Sequence, residues 1–182
     1  PRFPTLSPVH TQYDADDVQR VINTLVDKVA ASFSPEKPLG IIGIRTRGEI
    51  LAQRLTHLLK QKGFHQIHCG TLDITLYRDD LSEIGPRPLV RPTQLAIQVD
   101  GLPLLLVDDV LFTGRSVRAA LDALSDFGRP SAIRLAVLVD RDGRELPIQP
   151  DFAALKLATV PRDHRVNVRF KETDGADEIV VE

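Results

Sequence analysis

Residues 104–116 read LLLVDDVLFTGRS. Four apolar residues, Leu104 to Val107, run into two adjacent carboxylates, Asp108 and Asp109, and a Thr-Gly-Arg-Ser turn follows at Thr113 to Ser116. A short apolar run bounded by turn residues reads as a buried strand. Two unpaired carboxylates inside the core would be costly, so the strand must deliver them to the open edge of a sheet, within reach of hydroxyls, cations or water. Beyond the turn, RSVRAALDALSDFG (115–128) sets Val117, Ala120, Leu121, Leu124 and Phe127 at helical spacing, with Gly128 and Pro130 as stop signals. The N–H groups that open this helix, with the Thr113 and Ser116 hydroxyls, make an anion cradle, and Gly114 lets the backbone approach the anion closely. Read singly, these residues amount to a strand, an Asp-rich turn and a capped helix. In this order they point to a ribose 5-phosphate site: carboxylates for sugar hydroxyls beside a cradle for phosphate.

Outward from this stretch the pattern alternates between strands and helices. Residues 14–31 place Val18, Val21, Ile22, Leu25, Val26 and Val29 on one helical face, with acidic residues at the start. LGIIGI (39–44) reads as a buried strand, RTRG (45–48) as a loop, and 49–63 as a helix carrying Ile50, Leu51, Leu55, Leu58 and Leu59 on one side. Residues 67–77 read as a strand. Residues 78–93 contain three prolines and a glycine and read as a long functional loop. QLAIQV (94–99) reads as a strand before the turn into 104–107, AIRLAVLVD (132–140) as another, and VNVRF and EIVVE in the tail as two short ones. Such alternation implies an α/β domain with a central, mainly parallel sheet flanked by helices, in which ligands bind at the carboxyl ends of the strands. Three polar loops leave strands there: RTRG, DDVLFTGRS and RDGR (141–144).

Composition sets bounds on this reading. A chain of 182 residues with 42% hydrophobic and 26% charged residues suits a single globular domain spanning 1–182. A net charge of -2 argues against a strongly basic nucleic-acid binder, though not against a local basic face. The single cysteine, Cys69, forms no internal disulfide, and a cytoplasmic location is expected. No 18-residue apolar run suggests a membrane span, and no leader pattern is visible. His57, His65 and His68 lack metal-ligand spacing.

LLLVDDVLFTGRS resembles the phosphoribosyl pyrophosphate (PRPP) signature of the type I phosphoribosyltransferases. GIRTRG (43–48), LDITLYRDDL (72–81) and GRPSAIRLAVLVDR (128–141) are similar to the PyrR family of bifunctional pyrimidine-operon regulators with uracil phosphoribosyltransferase activity. The likeness runs from about residue 14 to the C-terminus and weakens after Arg141. It implies the type I phosphoribosyltransferase fold, a mobile loop at about 78–93 that includes RPLV (87–90), and a small hood at about 141–162. The implied reaction joins uracil to PRPP and gives UMP and pyrophosphate, with Mg2+ carried on the PRPP. By the same resemblance the substrate lies along Asp108, Asp109, Val110, Leu111, Phe112, Thr113, Gly114, Arg115 and Ser116. Asp108 and Asp109 take the ribose hydroxyls, Thr113 to Ser116 take the 5-phosphate, and turnover depends on Asp109. Arg45 and Arg47, with Thr46 between them, face the departing pyrophosphate, and Arg78 is a third cation for it. Arg141 is the side-chain candidate for uracil. Hypoxanthine-guanine enzymes typically carry Asp where Phe112 stands, and a phenyl ring cannot accept a purine N–H, so a pyrimidine is favoured.

The resemblance also implies a homo-oligomer, dimer or tetramer, and a second partner, pyrimidine-operon mRNA. A UMP-responsive RNA-binding attenuator is therefore the alternative to an enzyme. The chain departs from the family at several positions expected to meet RNA. NTLVD (23–27) replaces Thr-Arg-Ile-Ala-His, so Asp27 stands for the histidine, and Gln149 and Leu155 replace an arginine and a lysine. Arg144 matches the family, and Arg134, Lys156, Arg162 and Arg165 are the other cations nearby.

Overall fold

The computed structural model describes residues 11–80, 93 and 95–182. Strand β1 (Thr11–Tyr13) leads into helix α1 (Ala15–Ser32). Asp14 caps that helix by accepting the Asp17 N–H at 2.9 Å, and the Asp17 carboxylate accepts the Asp14 N–H at 3.2 Å, a reciprocal pair that satisfies two end donors. Then come β2 (Leu39–Ile44), α2 (Arg47–Gln61), β3 (Ile67–Leu72), a short 3-10 turn (Thr75–Tyr77), β4 (Pro103–Leu111) and α3 (Arg115–Ser125). The chain continues through β5 (Ala132–Arg141), β6 (Phe152–Leu157), β7 (Val166–Arg169), α4 (Lys171–Asp174) and β8 (Glu178–Val181).

Five strands form a parallel sheet in the order β3-β2-β4-β5-β6. All six residues of β2 are buried, as a central strand covered on both faces requires. Alternation along β4 splits its apolar run between the two faces. Leu105 and Val107 pack with α1 and α2 (Val18, Ile22, Leu51, Leu55), whereas Leu104 and Leu106 pack with α3 (Val117, Ala120, Leu124). The chain leaves β2 for β3 on one side and returns to β4 on the other, so the order reverses between β2 and β4. In open α/β sheets that reversal opens a crevice beyond the strand ends. A second, antiparallel sheet of order β1-β8-β7 joins residues 11–13 to the tail.

The expected architecture stands, with four differences. Residues 95–99 form no strand, although Val99 is buried. The expected hood contains β6, which pairs in parallel with β5 as the edge of the main sheet, so only the segments on either side of it are irregular. The strand expected over 67–77 ends at Leu72: the Asp73 carboxylate accepts from the Thr75 N–H (2.8 Å) and hydroxyl (2.5 Å), and this local bonding replaces a ladder. Helix α2 begins at Arg47, within the expected RTRG loop. Of the loop expected at 78–93, residues 81–92 lie outside the described residues.

Candidate active site

Two glycines bring α2 onto the sheet. A Cβ on Gly43 would lie 2.5 Å from the Gly48 carbonyl oxygen and the Glu49 Cα, and one on Gly48 would lie 2.6 Å from the Val107 carbonyl oxygen and 3.2 Å from the Asp108 Cα. Their bare backbones let the first turn of α2 settle on the ends of β2 and β4. That approach sets Arg45, Thr46 and Arg47 beside Asp108. The Arg45–Thr46 peptide bond is cis.

A cavity of about 430 Å³ opens at this reversal point. Arg45, Thr46, Arg47 and Arg78 line it together with Asp108, Asp109, Val110 and Ser116, all of them expected from the sequence. Ile44, Asp73, Ile74 and Thr75 complete the wall, none of them a site residue expected from the sequence. The signal was an Asp followed two residues later by Thr at the end of an apolar run, a side-chain turn rather than a continuing strand.

The carboxylate wall is strained electrostatically. Asp108 is 7% exposed and accepts the Asp109 N–H at 2.9 Å. Burial pushes its carboxyl well above the ordinary value of 3.8, and the neighbouring Asp109 charge adds to the rise. Groups that donate to a carboxylate, or a cation, would relieve that cost; a ribose diol offers the first. The cationic wall is tethered. Arg45 donates to the Thr71 hydroxyl (3.0 Å) and lies 3.6 Å from Glu49, and Arg47 forms a fork with Asp174 (2.8 and 3.3 Å). Arg78 pairs with Asp80 at 2.5 Å. Asp79 pairs with Arg115 at 2.7 Å, and Arg115 also meets Glu145 at 2.9 Å. These exposed pairs are weak and salt-sensitive, so a polyanion can displace the acidic partners.

The turn that opens α3 is built as its sequence requires. Gly114 holds φ +95° and precedes α3, and the Thr113 hydroxyl accepts the Arg115 N–H at 3.3 Å. Ser116 faces the cavity, while the side chains of Phe112, Thr113 and Arg115 lie outside its lining. Leu111 is 2% exposed and packs in the apolar cluster beneath α3, so its side chain belongs to the core.

The Arg141 side chain, expected beside the base, is not part of the cavity lining. Its side chain is 3% exposed and donates to the carbonyls of His164 (2.7 Å), Pro161 (3.1 Å) and Val160 (3.4 Å). The guanidinium stacks 3.9 Å from the centroid of the Phe112 ring. Gly143, at φ +105°, leaves room for that ring, which a Cβ there would overlap. Arg141 thus backs Phe112. The positions expected to meet RNA are also largely engaged: Asp27 pairs with Lys62 at 2.9 Å, Arg134 with Asp151 at 3.4 Å, and Arg144 is turned inward. Lys156, Arg162 and Arg165 are exposed.

Among the described residues, no three His, Cys, Asp or Glu side chains converge as a metal-ligating set. Asp108 and Asp109, two carboxylates on one wall, fit instead a magnesium ion that arrives on phosphate oxygens and borrows a few protein ligands. Among the described residues no helix is long and apolar enough to cross a membrane.

Comparison with known proteins bears directly on this geometry. The phosphoribosyl transferase domain family matches residues 11–169. The Bifunctional protein PyrR of Roseiflexus sp. (strain RS-1) is 47% identical over 162 residues, covering 89% of this chain and 88% of that protein. The Bifunctional protein PyrR of Deinococcus radiodurans is 45% identical over 171 residues, covering 94% and 93%. Among solved structures, the HGPRT-ase of Leishmania tarentolae in complex with GMP superposes with a TM-score of 0.66 at 14% identity, covering 92% of this chain and 91% of that one. A hypoxanthine phosphoribosyltransferase of Trypanosoma cruzi gives 0.67 at 17% identity over 92% and 93%. At such identities the structures establish the fold alone. The family match and the close sequence relatives go further: this chain belongs to the phosphoribosyl transferase domain family and, within it, to the PyrR family.

Proposed function

We propose that this chain is a uracil phosphoribosyltransferase, acting in the cytoplasm, that converts uracil and PRPP to UMP and pyrophosphate. The observation that carries the reading is the single cavity that brings Asp108, Asp109 and Ser116 together with Arg45, Arg47 and Arg78. In the reaction the bond from the ribose anomeric carbon to pyrophosphate breaks, and uracil N1 bonds to that carbon as its proton leaves. Positive charge develops on the sugar, as in glycoside hydrolysis, and negative charge on the leaving group. Arg45, Arg47 and Arg78 are placed for the leaving group. Asp108 and Asp109 orient the ribose, and the start of α3 receives the 5-phosphate. Magnesium, when bound, neutralises pyrophosphate oxygens. Phe112, held by Arg141, supports a pyrimidine over a purine, since nothing on the ring accepts a purine N–H.

Pyrophosphate release is the test, with PRPP, magnesium and, in turn, uracil, orotate, hypoxanthine and guanine. Release with uracil alone, lost in Asp109→Ala, is expected. Release with another base, or with none, sinks the reading.

The word bifunctional in the relatives' names supports a second reading, a UMP-responsive regulator that binds pyrimidine-operon mRNA. Lys156, Arg162 and Arg165 are its available cations. Contacts to several phosphates make affinity fall steeply with salt, and a flat salt titration would remove this reading. A dimer or tetramer belongs to the same proposal, and light scattering checks it.

A further inference from the structure

The segment after β5 makes a set of contacts that the reaction just described does not use. Arg144 is turned inward, with its side chain 16% exposed. Its Nη1 donates to the Phe112 carbonyl, its Nη2 to the Asp140 carboxylate at 2.6 Å, and its Nε to the Ile148 carbonyl at 2.7 Å. The next two residues continue the contact: the Glu145 and Leu146 N–H groups both donate to the Thr113 carbonyl, at 2.9 and 3.1 Å. Leu146 and Ile148 also pack within 3.5 Å of the position a Gly114 Cβ would take.

In a planar trans peptide the C=O and N–H point in opposite directions. Fixing the carbonyls of Phe112 and Thr113 on the side of residues 144–146 therefore turns the N–H groups of Thr113 and Gly114 to the other side. Those are the amides of the turn that opens α3, where an anion is received. Asp140, the partner of Arg144, lies on β5, so the bracing reaches into the central sheet. An arginine suits the task because its rigid fork serves four acceptors at once, the Arg141 carbonyl being the fourth at 3.4 Å. A surface cation awaiting nucleic acid would not turn Nε, Nη1 and Nη2 into the fold.

We propose that Arg144 is a positioning residue for the 5-phosphate cradle, holding the carbonyls of the Phe112–Gly114 turn outward so that its amides face the phosphate. This rests on the phosphoribosyl-transfer reading. Arg144 touches no substrate. Its effect falls on ligands that carry the phosphate.

Arg144→Ala and Arg144→Lys test it, by steady-state kinetics and by calorimetric titration with UMP. In Arg144→Ala the KM for PRPP and the Kd for UMP are expected to rise tenfold or more, with the KM for uracil within twofold of wild type. Arg144→Lys, which keeps the charge but not the fork, is expected to show a rise of at least threefold and less than Ala. A merely structural role would lower thermal stability without separating the two KM values. Unchanged PRPP KM and UMP affinity in both variants, or equal rises in both KM values, overturns the proposal. If Arg144→Ala does not fold, Arg144→Lys decides alone by the threefold threshold. If the wild type binds UMP without turning over uracil, the functional reading fails and the UMP titration still judges Arg144. A wild type that binds neither PRPP nor UMP overturns both.

Discussion

Gly48→Ala probes how closely α2 must sit on β4. A methyl group there begins 2.6 Å from the Val107 carbonyl oxygen, against the 3.4 Å at which ordinary contact starts. The obstacle is backbone of a central strand, so the helix must move, by about 0.8 Å from those two distances. Two effects on stability oppose each other. Overpacking costs about 1–3 kcal/mol, while replacing glycine by alanine inside a helix gains about 0.5–1 kcal/mol. The net loss is therefore about 0–2.5 kcal/mol, at roughly 2–4 °C per kcal/mol for a chain of this size. Catalysis has no such offset. Arg47 and Thr46 travel with the helix start, and a displacement near 1 Å at a reacting centre can cost roughly 10²-fold. The expected variant thus loses no more than about 2.5 kcal/mol of stability, with kcat/KM for UMP formation down about a hundredfold. Gly63→Ala is the comparator: φ of +93° strains any replacement, but nothing lies within 4 Å of the new methyl, so stability falls and kcat/KM holds. A calorimetric scan and a continuous pyrophosphate assay on both proteins suffice. If Gly48→Ala keeps kcat/KM within threefold of wild type, the close seating of α2 does not set the site and the reasoning is refuted.

Two further outcomes follow from the electrostatics. The raised Asp108 pKa means the folded state holds that proton more tightly than the unfolded chain, so the group's stabilising contribution is present below about pH 4 and is lost as pH rises through the folded value. Asp108→Asn is therefore expected to melt at a higher temperature than wild type at pH 8, with the difference closing toward pH 4, while UMP formation is lost; a lower melting temperature at pH 8 would contradict the burial argument. Arg47 is 41% exposed in its pair with Asp174, and such pairs contribute about 0–1 kcal/mol. Arg47→Ala is expected to shift melting by less than about 4 °C while lowering kcat by roughly 10²-fold, and a large melting shift with preserved kcat would reverse the assignment.

The parts of the molecule legible in the sequence are those where one local signal dominates. Leu39–Ile44 is apolar throughout and flanked by proline and arginine, and the strand has those bounds. DDVLFTGRS carries its chemistry in consecutive residues, so the carboxylates and the phosphate turn could be read without knowing the topology. Where the structure differs, a distant partner decides. FAALKL is short and half polar in its second half, and it becomes a strand because the edge of β5 is open to it. LAIQV has the composition of a strand, yet it pairs with neither sheet. Arg141 is named from the resemblance alone, and its sequence gives no sign that the carbonyls of Val160, Pro161 and His164, some twenty residues away, hold its side chain. Asp73 and Thr75 enter the cavity only because β3 stops five residues earlier than its composition suggests.

The small sheet that joins Thr11–Tyr13 to Glu178–Val181 has a consequence for the order in which the molecule can be made. Gln12 and Glu178, which bond across it, are 166 positions apart. At roughly 5–20 residues per second, the first strand waits on the order of 10–30 s for its partner to be translated. The same late stretch carries Asp174, which holds Arg47, and Glu172 and Asp177, which grip Arg54 in the middle of α2. A nascent chain stalled near residue 165 would own the carboxylates, the phosphate turn and every strand of the parallel sheet. It would still lack the partners of Arg47 and Arg54. The antiparallel sheet and the ion pairs on Arg47 and Arg54 are thus the last parts of the described fold to form, after the parallel sheet is complete.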